Sequence, residues 1–444
     1  MTILAGETTG HASVRSALRR PGMLETLMVP LTMFVLLYET PEAWVLDASA
    51  EDTGVPITTA LTLALTGFAF LRVAGNLDLV IRLIKLEGAL TLFVMLTAAS
   101  VFWSANLWLT MRETALVVAC FFWAAYLVVR FELPQILRLL AWSSIPGTLV
   151  NYAFIFALPE YGVSAAGQWT GVFGQKNALG YSATLMIPLL VVVAGSDRPR
   201  RMLYYSTAAL NAVLLVGSES KTMLVATVIP TVLLAVYHGF RGRKTLRGAV
   251  ILSLVGAAIF MVLFVTANLA IIAELLNKDV TLTGRTDLWR DLIPIAMERP
   301  LLGWGANAPF GGYFSPVHEV WIQNRWDPSH AHNAGLQLWL ELGVVGVALF
   351  LVTYLRALGR AIEVVRRMPG RVGLWPLCFL TTALLISISE SGVTTSMPSF
   401  VLYVLCIWSC GLSYNSPLLG SSTARPADDP VRDQQTSLKH LQVG

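Results

Sequence analysis

Long apolar runs separated by short polar segments make up most of this chain. A helix needs about 20 apolar residues to span a bilayer. Runs of that kind lie at 24–38, 56–75, 88–105, 114–130, 139–158, 178–195, 202–216, 222–238, 248–268, 333–355, 374–390 and 398–414. The pattern predicts an all-α polytopic membrane protein with about 12 transmembrane helices. The run at 56–75 carries Arg72 and leads into the mixed stretch Asn76–Glu87. That stretch suits a helix lying along the membrane surface. The apolar pattern fails over one long interval, 269–332, between the ninth and tenth runs. There the chain reads T-G-R-T-D-L-W-R, then P-L-L-G-W-G, then S-H-A-H-N. Within it, residues 285–298 alternate with a helical period. Leu288, Trp289, Leu292 and Ile295 form an apolar stripe, and Arg285, Asp287, Arg290, Asp291 and Glu298 are polar. An amphipathic helix is expected, stopped by Pro300 and followed by a turn at Gly303-Trp304-Gly305.

Composition supports this picture: 13% of residues are charged, against about 25% in soluble domains. The net charge of +4 matters less than its distribution. With the N-terminus in the cytoplasm and sides alternating, most of the 31 basic residues fall on the cytoplasmic side. Only Arg112, Lys176, Lys221, Lys278, Arg285, Arg290, Arg299 and Arg325 fall outside. Cytoplasmic loops carry the Lys/Arg excess, so both termini are expected inside and the 269–332 loop outside. The layout is then a cytoplasmic N-terminus (1–23), helices 1–9 (24–268), the external loop, helices 10–12 (333–414) and a cytoplasmic tail (415–444). The tail is rich in Pro, Asp, Ser and Gln and is expected to be disordered. Arg15, Arg19 and Arg20 before Leu24–Leu37 imitate a signal sequence. Ala48-Ser49-Ala50 lies too far beyond the apolar run for cleavage, so an uncleaved first span is expected. No polar basic domain exists that would bind nucleic acid. Cys120, Cys378, Cys406 and Cys410 all lie in apolar runs and are expected to be packing residues, neither disulfides nor metal ligands.

Four places on the outer side carry candidate chemistry. In Gln168–Gly180, Gly171 and Gly174 allow a tight turn, Asn177 is a candidate helix cap, and Lys176 sits at a helix start. Free N–H groups there favour an anion; the competing reading is a re-entry turn with a snorkelling lysine. In Gly217–Thr222, Lys221 again opens a helix, with Ser220 as its candidate cap. Arg285 stands at the first turn of the amphipathic helix, suited either to phosphate or to a salt bridge with Asp287 or Asp291. Finally, Ser329-His-Ala-His-Asn333 marks re-entry into the membrane. Histidine is the side chain type that titrates nearest neutrality, as a general base requires. His330 and His332 as alternate residues rarely chelate without a third ligand, so no metal is expected.

Taken in order, these elements resemble the O-antigen polymerase/ligase superfamily (the Wzy and WaaL group), and most of all its ExoQ-like exopolysaccharide polymerases. The carriers are G-V-F-G-Q-K-N-A-L-G, S-E-S-K-T, G-R-T-D-L-W with P-L-L-G-W-G, and His332-Asn333 followed by Gly343-Val-Val-Gly346. The resemblance spans about 165–350. It implies an inner-membrane glycosyltransferase that uses an undecaprenyl-diphosphate-linked glycan at the periplasmic face, with no cofactor and no metal. By motif match His332 and Arg285 are catalytic, and Lys176, Lys221 and Arg285 hold the diphosphate. Asn177, Ser220, Asn333 and His330 are supporting residues. Lys221 stands where many ligases have arginine, which keeps the charge but loses the bidentate fork. Trp169, Trp289, Trp304, Trp321 and Trp326 are candidates for sugar stacking or, as the plainer reading, interfacial anchors. The implied partners are membrane lipid, a chain-length regulator and other polysaccharide export proteins. Two rivals remain: an O-antigen ligase delivering to lipid A–core, and a lipid-linked glycan transporter or flippase. A transporter would place ionisable residues within its helices, whereas here they gather at one face, and no internal repeat is apparent.

Overall fold

The computed structural model describes residues 22–38, 57–75, 77–239, 285–310, 315–324, 329–368, 370–391 and 399–415, together with single residues 248 and 256. The expected N-terminal segment, the span at 248–268 and the tail lie outside the described residues. Apart from one isolated bridge between Val163 and Trp169, the described residues contain helices, turns and no strands. In chain order the helices are α1 Met23–Leu37, α2 Ile57–Ala74, α3 Leu77–Leu86, α4 Gly88–Ala99, α5 Leu107–Arg130, α6 Leu133–Ala157 and α7 Lys176–Ser196. There follow α8 Arg201–Gly217, α9 Lys221–Gly239, α10 Arg285–Glu298, α11 His318–Asn324, α12 Ala334–Arg367, α13 Trp375–Ile386 and α14 Phe400–Asn415.

The other eleven apolar runs each correspond to a helix, but their lengths differ from expectation. Among the described residues four helices are long and apolar enough to cross a membrane: α5, α6, α7 and α12. A fifth span results if Val80–Leu86 and Gly88–Trp103, bent by 99°, count as one. α1, most of α9, Val372–Ile386 and most of α14 are shorter apolar helices. A helix does follow Asn76, α3, and a bend of 99° separates it from α4. α6 starts at Leu133 because Glu132 and Gln135 form a reciprocal capping box. α5 is opened by Asn106, whose side chain accepts from the Leu109 N–H at 3.2 Å.

Packing follows the apolar faces. Trp123, Tyr126 and Trp408 are fully buried, and Trp408 meets Phe121 edge-on at 4.6 Å. The four cysteines are buried and free. Where the first spans end, buried Glu25 of α1 pairs with Arg130 of α5 at 2.7 Å and Arg72 of α2 at 3.2 Å. Glu87 similarly pairs with Arg360 of α12.

α12 is broken at Gly343, with φ 68° and ψ −172°. A break in a helix exposes backbone groups that need partners. The Pro300–Gly305 turn supplies them. Val344 N–H donates to Pro300 O at 2.8 Å, while Trp304 and Gly305 N–H donate to Leu340 and Glu341 O at 2.8 and 2.9 Å. The turn is held from its other side by Arg299, which donates to Trp103 O at 3.0 Å, and by Ala105 N–H donating to Trp304 O at 2.8 Å. P-L-L-G-W-G and G-V-V-G are therefore two halves of one clasp. A Cβ on Gly343 would lie 2.1 Å from the Leu301 backbone. Gly343→Ala is expected to cost about 3 kcal/mol or more, from strain and clash together. Gly359→Ala, with nothing within 4 Å of its Cβ, should be neutral or better. Melting temperatures of the two detergent-solubilised variants test this.

Candidate active site

Four helix starts meet through side-chain contacts, and the point of meeting is Glu390. α13 ends at Ile386, and the chain turns through 387–390. Asn333, the cap of α12, fixes that turn by donating to Ile388 O at 3.1 Å, and Ala334 N–H donates to Ser387 O at 3.0 Å. Glu390 thereby comes to face α10. Arg285, the first residue of α10, donates Nη2 to Glu390 Oε1 at 2.7 Å. Asn177, in the first turn of α7, donates to the same oxygen at 2.9 Å. His332 Nδ1 lies 3.1 Å from Oε2, and His330 Nε2 lies 3.8 Å from it. Ser220, just before α9, donates its hydroxyl to Asn177 Oδ1 at 2.9 Å.

The structure thus joins Arg285, His332, His330, Asn177 and Ser220 in one network. Lys176 and Lys221 are sequence neighbours of two members, and Asn333 positions the turn. Neither lysine has an ion-pair partner among the described residues. Each helix start contributes about half a unit of positive charge from its free N–H groups. The Arg285 guanidinium and the helix starts that meet here therefore bias this region towards an anion, with Glu390 already present as one.

Three details correct the sequence expectations. Asn177 is not a cap; Gln175 precedes the helix, and the Asn177 amide is spent on Glu390 and Ser220. The hydroxyl of Ser220 is turned to Asn177. Arg285 pairs with Glu390, while Asp287 and Asp291 are taken by Arg290 at 3.2 and 3.4 Å. The amphipathic helix appears as expected, Arg285–Glu298, with Leu288, Leu292 and Ile295 buried. The tryptophans have structural contacts. Trp289 donates to Ala331 O at 2.8 Å, Trp304 donates to Ile295 O at 3.0 Å, and Trp169 packs on Tyr152 and Phe156. Trp321 packs against the buried cluster around α10, and Trp326 lies outside the described residues.

Charge states follow from these contacts. Burial alone would raise the Glu390 carboxyl. The His332 hydrogen bond and the positive charges around it outweigh burial and hold Glu390 below the usual carboxylate range. An ionised Glu390 can only accept, so His332 Nδ1 is the donor in this contact. His330 is pushed down to about 4, first by burial and then by the neighbouring His332. Its Nδ1 accepts the His332 backbone N–H at 3.3 Å, as a neutral ring can. The unfolded chain binds a proton at a free histidine near pH 6.5, while folded His330 stays neutral down to about 4. Stability should therefore decline as pH falls through that window, by up to about 3 kcal/mol. His330→Asn should flatten the dependence of melting temperature on pH between 7 and 5.

His330, His332 and Glu390 present ligand atoms within 4.8 Å of one another, a set that could hold a metal ion. Sequence spacing provided no third ligand; the fold does. Yet Arg285 and Asn177 already share Oε1, and the guanidinium competes with any cation for that carboxylate. The donor set suits an ion pair better than a metal.

Glu390 itself was hidden in the sequence. It falls at the end of an apolar run, within S-I-S-E-S-G, and belongs to none of the motifs. The available signal was a lone acid at the end of an otherwise uncharged apolar run.

Residues 206–351 match the family model described as O-Antigen ligase. The matched region includes Lys221, Arg285, His332, Gly343 and Gly346, so the resemblance read from the motifs holds. Beyond it, the chain is 25% identical over 361 residues to the exopolysaccharide production protein ExoQ of Rhizobium meliloti (strain 1021). That similarity covers 77% of this chain and 78% of ExoQ. The apolar helices mark a membrane protein, and its similarity to these proteins agrees with the resemblance read from the motifs.

Proposed function

We propose that this protein is a polysaccharide polymerase. It transfers undecaprenyl-diphosphate-linked oligosaccharide repeat units at the periplasmic face of the inner membrane, building an exopolysaccharide or O-antigen. The observation that carries this reading is the Glu390-centred meeting of Arg285, His332 and Asn177. The likeness to ExoQ, an exopolysaccharide production protein, supports the building of an exopolysaccharide. The expected topology agrees with this reading: an external 269–332 loop, inferred from the distribution of basic residues, would keep the site out of reach of cytoplasmic nucleotide sugars.

In the proposed reaction His332 Nε2 takes the proton of an acceptor sugar hydroxyl while Glu390 steadies the imidazolium through Nδ1. The hydroxyl oxygen forms a bond to the anomeric carbon from the face opposite the diphosphate. The bond from that carbon to the diphosphate oxygen breaks, its electron pair leaves with undecaprenyl diphosphate, and configuration inverts. Lys176, Lys221, Arg285 and the helix starts stabilise the charge gathering on the leaving oxygen. No metal or other cofactor enters these steps. Lipid surrounds the helices, and a chain-length regulator and export proteins are the expected protein partners.

The second reading, an O-antigen ligase, is favoured by the description of the matched family model. Purified protein given lipid-diphosphate-linked repeat units should form chains of several repeats. Transfer only to added lipid A–core would establish the ligase, and absence of any new glycosidic bond would leave transport as the better account.

A further inference from the structure

His332 sits in an unfavourable place for a non-glycine residue: its φ is +48°. Left-handed backbone at histidine persists only where the surroundings impose it. Those surroundings act on the preceding residue, Ala331, which is wholly buried. Its carbonyl accepts from Trp289 Nε1 of α10 at 2.8 Å. Its N–H donates to the side-chain carbonyl of Gln337, one turn into α12, at 2.7 Å. The Gln337 amide is then oriented by its other end, which donates Nε2 to Glu341 Oε1 at 2.7 Å. Gln337 and Glu341 are 1% and 0% exposed. Only the carbonyl end of Gln337 can accept from Ala331, and only its amino end can donate to Glu341. The contact therefore has one orientation.

We propose that Gln337, oriented by Glu341, and Trp289 from the opposite side are positioning residues for His332. They clamp the Ala331 peptide and so hold the imidazole against Glu390. Trp289 closes the G-R-T-D-L-W motif, while Gln337 and Glu341 occupy no fixed position of any motif. The clamp draws on α10 and α12 together, which makes the histidine's placement depend on docking of the external helix. The geometric half of the proposal stands on contacts alone; the kinetic half rests on the glycan-transfer reading above.

Two measurements on full-length protein in detergent test it. Amide exchange of the 330–333 segment, followed by mass spectrometry, reports the Ala331 N–H directly. Gln337→Leu should speed that exchange by about tenfold or more while leaving segments of α7 and α13 unchanged. Elongation kinetics with lipid-diphosphate-linked repeat units should show kcat down about 100-fold and KM within about threefold, as for a displaced base. Glu341→Gln, which still offers an acceptor to Gln337, should stay within about threefold of wild type. Glu341→Leu should resemble Gln337→Leu. If Gln337→Leu does not reach the membrane, Trp289→Phe removes the other grip and should give the same pattern. Unchanged exchange at 330–333 would overturn the clamp. Faster exchange with unchanged kcat would overturn its role in positioning the base. Wild-type protein that makes no glycosidic bond would instead overturn the functional reading, and the exchange result would still decide the clamp.

Discussion

His332→Ala is expected to lower repeat-unit transfer by about 10²–10⁴-fold, the range for loss of a general base, with the protein still inserted in the membrane. The His332 side chain is 15% exposed and lies 3.1 Å from Glu390, with the His330 ring at 4.0 Å. Removing it leaves the clasp between Pro300–Gly305 and α12 untouched. The measurement is polymer produced by cells lacking the wild-type gene, alongside the level of tagged protein in the membrane fraction. Full-length polymer from this variant would remove His332 from the chemistry.

Glu390→Ala should be the more damaging change to the protein itself. Arg285 and Glu390 side chains are 15% and 10% exposed. Removing one member of such a pair typically costs about 3–5 kcal/mol, because the other charge stays buried. Arg285→Ala alone should also destabilise, since Glu390 would keep only Asn177 and the histidines. The double variant Arg285→Ala/Glu390→Ala should melt above the Glu390→Ala single variant and yet transfer no glycan. That combination separates stability from activity. Strictly additive losses in melting temperature would mean that the two charges are not coupled, and the site would have to be redrawn without Glu390 as its hub.

Much of the architecture was legible because hydrocarbon-length apolar runs and a 3.6-residue period are local properties. The limits of Arg285–Glu298 follow from its stripe of Leu288, Leu292 and Ile295 and from Pro300. Where runs alone misjudge length, the cause is backbone chemistry that hydropathy does not register. The capping box at Glu132 moves the start of α6, and Gly343 breaks α12 without interrupting its apolar character. Motif spacing brought forward Arg285, His332, Lys176 and Lys221 but assigned Asn177 to a cap. A cap is the default role for an asparagine near a helix start. Its true partner, Glu390, is more than two hundred residues away and visible only in three dimensions. The tryptophans show the converse. Their density suggested sugar binding, yet Trp289 and Trp304 each give their N–H to a backbone carbonyl inside the loop.

The four helix starts around Glu390 have a consequence for how such a site can drift. Positive potential carried by peptide groups is indifferent to alkalinity and cannot be deleted by any side-chain substitution. Lys176 and Lys221 add to a field that the main chain already provides, so losing either alone should weaken activity by degrees. Lys221→Arg, which keeps the charge, should then be tolerated. The point at which each helix begins is what the field depends on.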